Sequence, residues 1–222
     1  MSMAVKTRLF QAADEARVRR ICFETALYGQ SIQPLLDDEK LVTDALIGYY
    51  LRFEREALFV ADVGRTVAGY LAGCADSRRF DRLYRRHVVP DLLRQFLVRG
   101  YWLRPRLLRL VLANAGTGLR WWRARQAVLG EYPAHLHINL DASNRKLGIG
   151  RMLVEQCLAL LDRRGVAGVH ISTETDAGRA FFGKVGFDIL RTYRIRSVAD
   201  RSPLDVTLMG RRLGNANREE RR

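Results

Sequence analysis

The stretch that most limits how this chain can fold is a change of hydrophobic period around residues 144–151. Upstream, Ala134-His135-Leu136-His137-Ile138-Asn139-Leu140 alternates apolar and polar residues, as a half-buried strand does. Downstream, Leu153, Cys157, Leu160 and Leu161 recur at helical spacing. Between them lies Asn144-Arg145-Lys146-Leu147-Gly148-Ile149-Gly150-Arg151, so the stretch reads as strand, glycine turn, helix. The first turn of a helix leaves backbone N–H groups without intrahelical partners, and the helix dipole favours an anion there. Gly148 and Gly150 permit close approach of a phosphate to the main chain. Arg145, Lys146 and Arg151 bring positive charge to the same point. The chemistry this points to is capture of a pyrophosphate.

The rest of the chain must build a core around that unit. Its 222 residues are enough for one large domain, expected over 1–213 with a disordered polar tail at 214–222. A hydrophobic share of 48% argues against wholesale disorder, and a net charge of +14 favours acidic partners. Cys22, Cys74 and Cys157 lie far apart and have no metal-ligand or disulfide spacing. They read as small buried hydrophobes in a reducing, cytoplasmic setting, with no metal expected. No signal-peptide pattern is visible at the start of the sequence, and no apolar run approaches the ~20 residues that span a bilayer.

In chain order, a strand is expected at 4–10, a helix at 12–28 and a second helix at 35–53. A hairpin of strands 57–63 and 66–74 follows across Gly64-Arg65. Residues 76–131 differ in kind. Between Asp76 and Gly130 there are thirteen Arg, no Lys and three acids, and all three Trp (Trp102, Trp121, Trp122) fall there. Three helices are expected, after Pro90, after Pro105 and after a break at Gly116-Thr117-Gly118. About 55 residues of short helices would not build a core alone, so this reads as an insertion between core strands. After the glycine turn and its helix come a strand at 166–173, a short helix at 177–184, and strands at 186–195 and 204–213.

With these residues in view, the chain resembles the GNAT superfamily of acyl-CoA-dependent N-acetyltransferases. Arg145, Gly148 and Gly150 match that family's Arg/Gln-x-x-Gly-x-Gly/Ala loop. Phe181-Phe182-Gly183-Lys184-Val185-Gly186-Phe187 is close to its second signature, Phe-Tyr-x-Lys-x-Gly-Phe. The resemblance implies an α/β (α+β) fold: a mixed, twisted sheet with flanking helices and two central strands splayed apart. It implies acetyl-CoA as co-substrate, with the pyrophosphate on the N–H groups of Leu147, Gly148, Ile149, Gly150 and Arg151. The pantetheine would run along Ile138, Asn139 and Leu140. A primary amine would attack the thioester directly, with a backbone N–H near Asn139 or Leu140 polarising the carbonyl. Two positions depart from the family pattern. Phe182 stands where a Tyr commonly serves the departing thiolate, and Thr175 stands where an Asn often contacts the cofactor.

Expected catalytic residues are His135, His137 and Asn139, which share one face of their strand by period two. His135-Leu136-His137 resembles the His-Leu-His of arylalkylamine acetyltransferases, which serves proton removal from the amine. The alternative for both imidazoles is a hydrogen-bonded structural role. Expected cofactor contacts are Ile138, Leu140, residues 145–151, Thr175, Phe181 and Phe182. Glu131 and Tyr132 are candidates for the mouth of the site, while Lys184, His87 and His170 read as structural. The Arg/Trp insertion is open to three readings: a lid over the acceptor site, recognition of an anionic acceptor such as RNA or a phosphorylated metabolite, or docking on an anionic membrane. Competing with catalysis are a weakly active or inactive CoA-binding regulator and an RNA- or DNA-binding protein on the same scaffold. A homodimer is compatible with either.

Overall fold

The structure is a computed structural model that describes residues 5–145 and 147–214, without the side chains of residues 106, 109–111 and 113–115. The expected tail therefore lies, beyond residue 214, outside the described residues.

Seven strands form one sheet: β1 (Val5–Leu9), β2 (Leu58–Val63), β3 (Thr66–Cys74), β4 (Ala134–Leu140), β5 (Gly168–Thr173), β6 (Asp188–Arg196) and β7 (Pro203–Arg212). Their spatial order is β1-β2-β3-β4-β5-β7-β6, and every neighbouring pair is antiparallel except β4–β5. β2 and β3 are buried along almost their whole length because helices cover both faces of the sheet there. Phe59, Ala61 and Leu71 pack against Leu153, Val154 and Cys157 of α7 (Ile149–Arg163) on one face. Leu58, Val60, Tyr70 and Ala72 pack on the other, against Val18, Ile21 and Cys22 of α1 (Glu15–Thr25) and against Tyr49 and Tyr50.

Two helical boundaries differ from those expected. The helix expected over 35–53 is two helices, α2 (Glu39–Leu46) and α3 (Gly48–Phe53), parted where Ile47 leaves helical geometry at φ −123° and ψ −6°. The break turns α3 so that Tyr49, Tyr50 and Leu51 are all buried. In the opposite sense, the break expected at Gly116-Thr117-Gly118 is absent, and α6 runs unbroken over Pro105–Gln126. A helix-interior glycine costs only about 1 kcal/mol, and long flanking stretches of good helix formers carry the ladder through.

The insertion is helical, but its helices are not the three expected: α4 (Ser77–Leu83) and a π-helical turn (Tyr84–Val88), neither of them expected, precede α5 (Val89–Val98) and α6. It is fastened to the core by acids of the core itself. Arg79 pairs with Glu54 at 2.8 Å, Gln95 donates to Asp44 at 3.0 Å, and Arg99 and Tyr101 both hold Asp38. Asp38 is buried and also caps α2 by accepting from the Leu41 N–H at 3.0 Å. Burial pushes its carboxyl up, but Tyr101, the Leu41 N–H and Arg99 outweigh that and hold it below the usual carboxylate range. No helix among the described residues is long and apolar enough to cross a membrane.

Because the folded pKa of Asp38 is depressed, its contribution to stability is complete at neutral pH and is lost as pH falls through that depressed value. Asp38→Asn should lower unfolding stability by roughly 2 kcal/mol at pH 7, and by less at pH 3, in denaturant titrations. An equal loss at both pH values would show that charge plays no part in this contact.

Candidate acyl-transfer site

The site begins where the sheet fails. β4 and β5 pair only at Ala134↔Val169 and His135↔His170 and then part. Beyond that point β4 keeps β3 on one side and a gap on the other. The Asp141 N–H donates to the Ala68 carbonyl of β3 at 2.9 Å. Strand alternation therefore turns the Asn139 N–H toward β3, and the N–H groups of Leu140 and Ile138 toward the gap. Of the two amides expected to polarise a carbonyl, Leu140 has the fitting direction and Asn139 does not.

The glycine turn sits at the open end of this gap. Gly148 caps α7 with φ +77°, a left-handed conformation, and a Cβ built on it would meet nothing within 4 Å. Met152 N–H donates to the Gly148 carbonyl at 3.2 Å, so the N–H groups of Ile149, Gly150 and Arg151 lie ahead of that bond. Gly150 has a different reason to be glycine: its Cβ would stand 3.1 Å from Cζ of Phe181. Its small size serves packing of α7 on α8 (Asp176–Lys184), whereas the space for an anion is beside Gly148. Leu147 is exposed and Ile149 buried beneath the turn. Arg151 is exposed and pairs with Glu155 at 2.6 Å. Arg145 reaches back across the chain, its Nη2 donating to the Gly29 carbonyl at 2.7 Å. Lys146 lies outside the described residues.

Across the gap, Phe182 is buried against Phe181 and Phe187 at ring separations of 5.0 and 5.3 Å, and it brings no proton donor. The Thr175 hydroxyl caps α8, accepting from the Gly178 N–H at 3.0 Å. That gives it a structural task as an acceptor.

His135, His137 and Asn139 do share one face, as expected, but their surroundings differ. His135 is buried, with Nε2 2.8 Å from the Tyr50 hydroxyl and Nδ1 2.7 Å from Ser77 Oγ. Burial, reinforced by the neighbouring His170 and Arg125, holds it well below the usual imidazole range. Both ring nitrogens are engaged, which is the structural role weighed above. His170 lies 5.7 Å away ring to ring and is anchored to the Tyr132 carbonyl at 2.8 Å. His137 is half-buried, its Nε2 3.0 Å from the Tyr70 hydroxyl, and burial lowers its pKa to about 4. Asn139 Nδ2 donates to the same Tyr70 oxygen at 3.1 Å. Glu131 is exposed and paired with Arg212.

One residue not singled out in the sequence stands on this face. Along β5 and just past its end, His170, Ser172 and Glu174 alternate onto the side occupied by His135. Burial raises the Glu174 carboxyl, and it raises the nearby Tyr193 phenol to about 12, with Ser172 pulling the other way. The one signal available in the sequence was an acidic residue directly after a strand.

No protein-family model matches the sequence. Among solved structures, the chain is similar to SsHAT at 29% identity and TM-score 0.70, over 96% of this chain and 100% of that one. It is similar in fold to yncA from Salmonella typhimurium, solved with acetyl-CoA, at 17% identity and TM-score 0.60, over 96% and 95% of the two chains. It is likewise similar to a GNAT superfamily phosphinothricin acetyltransferase from Sinorhizobium meliloti in complex with acetyl-CoA, at 16% identity and TM-score 0.58, over 96% and 90%. Over nearly its whole length, then, the chain has the fold of the solved GNAT-superfamily acetyltransferases.

Proposed function

We propose that this protein transfers an acetyl group from acetyl-CoA to a primary amine, directly and within a ternary complex. The observation that carries this reading is the gap between β4 and β5, edged by the Ile138 and Leu140 N–H groups and ending at the Gly148 turn. Residues 147–151 would hold the pyrophosphate through backbone N–H groups, with Arg145 and Arg151 adding charge. Ile138 and Leu140 would pair with the pantetheine as a missing strand would. In the reaction the amine nitrogen forms a bond to the thioester carbonyl carbon, and the C–S bond breaks. The Leu140 N–H stabilises the charge on oxygen. The amine proton goes to Glu174, whose raised pKa suits it better for this than His137 does at about 4. His137 and Asn139 then position the acceptor through Tyr70, and His135 braces them from behind. Phe182 cannot protonate the departing thiolate, so its proton comes from solvent.

A second property is read from the outer face of the insertion, where Leu97, Val98, Trp102 and Leu103 are all more than half exposed. Exposed arginines such as Arg94 and Arg104 lie among them. Basic residues set among exposed apolar side chains suit an anionic bilayer surface better than RNA, which would leave the aliphatic groups in water.

Three outcomes follow. Combining Gly148→Asp with Arg145→Glu should weaken acetyl-CoA binding at least tenfold by calorimetry while the fold persists; unchanged affinity would displace the cofactor from this turn. A base must be ionised to act, so kcat/KM should rise with pH through the raised Glu174 pKa, and Glu174→Gln should flatten that limb and reduce kcat/KM by about 10²–10⁴. A retained limb would return the role to His137. Finally, the protein should co-sediment with phosphatidylglycerol vesicles in a salt-sensitive way that Trp102→Ala with Leu97→Asp reduces; equal binding by the variant, or preference for RNA, would refute bilayer contact.

A further inference from the structure

A cavity of about 240 Å³ opens where the insertion meets the core, between α2, α3 and α5. Lys40, Arg52, Arg94 and Arg99 line it together with Asp44 and Asp91, so basic side chains outnumber acidic ones. α5 turns one face to this space: Asp91, Arg94, Gln95 and Val98 recur at i, i+3, i+4 and i+7. Leu97, part of the exposed ridge read above as bilayer contact, lies one turn from Arg94 on the same helix. Val98 belongs to both regions, since it lines the cavity and is 78% exposed.

The acids leave most of the donors there unused. Asp44 is buried, and Arg19 at 2.8 Å, Lys40 at 2.6 Å and Gln95 at 3.0 Å converge on it. Arg19 approaches from α1, outside the cavity lining, so part of the charge of Asp44 is answered from behind. Asp91 meets Arg52 through one contact, Oδ2 to Nη1 at 2.6 Å, and Arg99 turns one nitrogen to Asp38. An ammonium or guanidinium held by one bond keeps further N–H donors free. Arg94 is exposed and has no hydrogen-bond or ion-pair partner among the described residues. Cationic donors from three helices thus converge on one space, with an apolar rim at Val98. Such a set suits a phosphate, and a phosphomonoester best: it presents three terminal oxygens and close to two negative charges near neutral pH.

We infer that this cavity binds the phosphomonoester headgroup of an anionic lipid, a phosphatidate, whose acyl chains enter the bilayer beside Leu97 and Val98. The inference rests on the bilayer reading above and deepens it, because the cavity would select one headgroup where the ridge alone responds to surface charge. The test compares co-sedimentation with phosphatidylcholine vesicles that carry either phosphatidate or phosphatidylglycerol at equal zeta potential. CoA is present throughout to occupy the Gly148 turn. The wild type should prefer phosphatidate by about tenfold. Arg94→Glu should bring the two lipids level, and Asp91→Asn, which releases Arg52, should raise the preference about threefold. Both side chains lie at the surface, and circular dichroism checks that the variants stay folded. Equal binding of the two lipids by the wild type overturns the proposal and leaves bilayer contact standing. A preference that survives Arg94→Glu also overturns it, since the headgroup would then sit elsewhere. If neither vesicle sediments the protein, the bilayer reading fails and the lipid with it, and calorimetry with glycerol 3-phosphate decides for the cavity. Heat that Arg94→Glu abolishes upholds a phosphomonoester site fed by a soluble ligand, and absence of heat overturns the site as well.

Discussion

Two residue pairs, Ala134↔Val169 and His135↔His170, are all that join the two halves of the sheet. Beyond them the two strands diverge, while each stays paired on its other side. β4 is held to β3 through Gly69↔Leu140 to Cys74↔His135, and β5 to β7 through Gly168↔Arg212 to Thr173↔Thr207. The backbone groups of Ile138 and Leu140 consequently face a space that only water or a ligand can satisfy, since polar backbone groups left unpaired are costly. Everything functional is arranged around that edge: α7 begins at its end, and the buried rings fill one side with Ser77 and Phe80 of the insertion packed on them.

The charge distribution follows from this arrangement. A net charge of +14 suggested a surface devoted to acidic partners, but much of the insertion's arginine serves to fasten it. Arg79 and Arg99 hold core carboxylates, and Arg125, almost wholly buried, pairs with Asp81 beneath the rings of Phe80 and Trp121. An arginine there can be buried because its planar cation is covered by aromatic faces as well as by a carboxylate. What remains outside is the larger set, Arg78, Arg82, Arg85, Arg86, Arg94, Arg104, Arg120 and Arg123, near exposed aliphatic and indole groups.

How much was legible in the sequence depended on whether the determinant was local. β3 was read with its observed bounds because its alternation and its Gly64 turn are local signals, and β4 likewise. The two signatures around Gly148 and Phe182 located both walls of the gap. Nothing local marks Ile47 as the end of α2, because the burial of Tyr49 and Tyr50 that the break permits is a tertiary gain. The glycines of α6 misled for the converse reason: a penalty of about 1 kcal/mol each is real but small beside a helix of that length. Period two placed His135 and His137 on one face correctly and could not reveal that Tyr50 and Ser77 occupy both nitrogens of the first. What distinguishes Glu174 is its burial, which elements far apart in the chain create and no window along the sequence contains.

The contact between Gly150 and Phe181 joins the two signatures more closely than their spacing suggests. With Cζ of Phe181 only 3.1 Å from where a Cβ would be, a methyl group at position 150 would press that ring back by a few tenths of an ångström. The start of α7 and the ring on α8 thus lean on one another, and a bulkier side chain at position 150 would be felt across the gap, at the far signature.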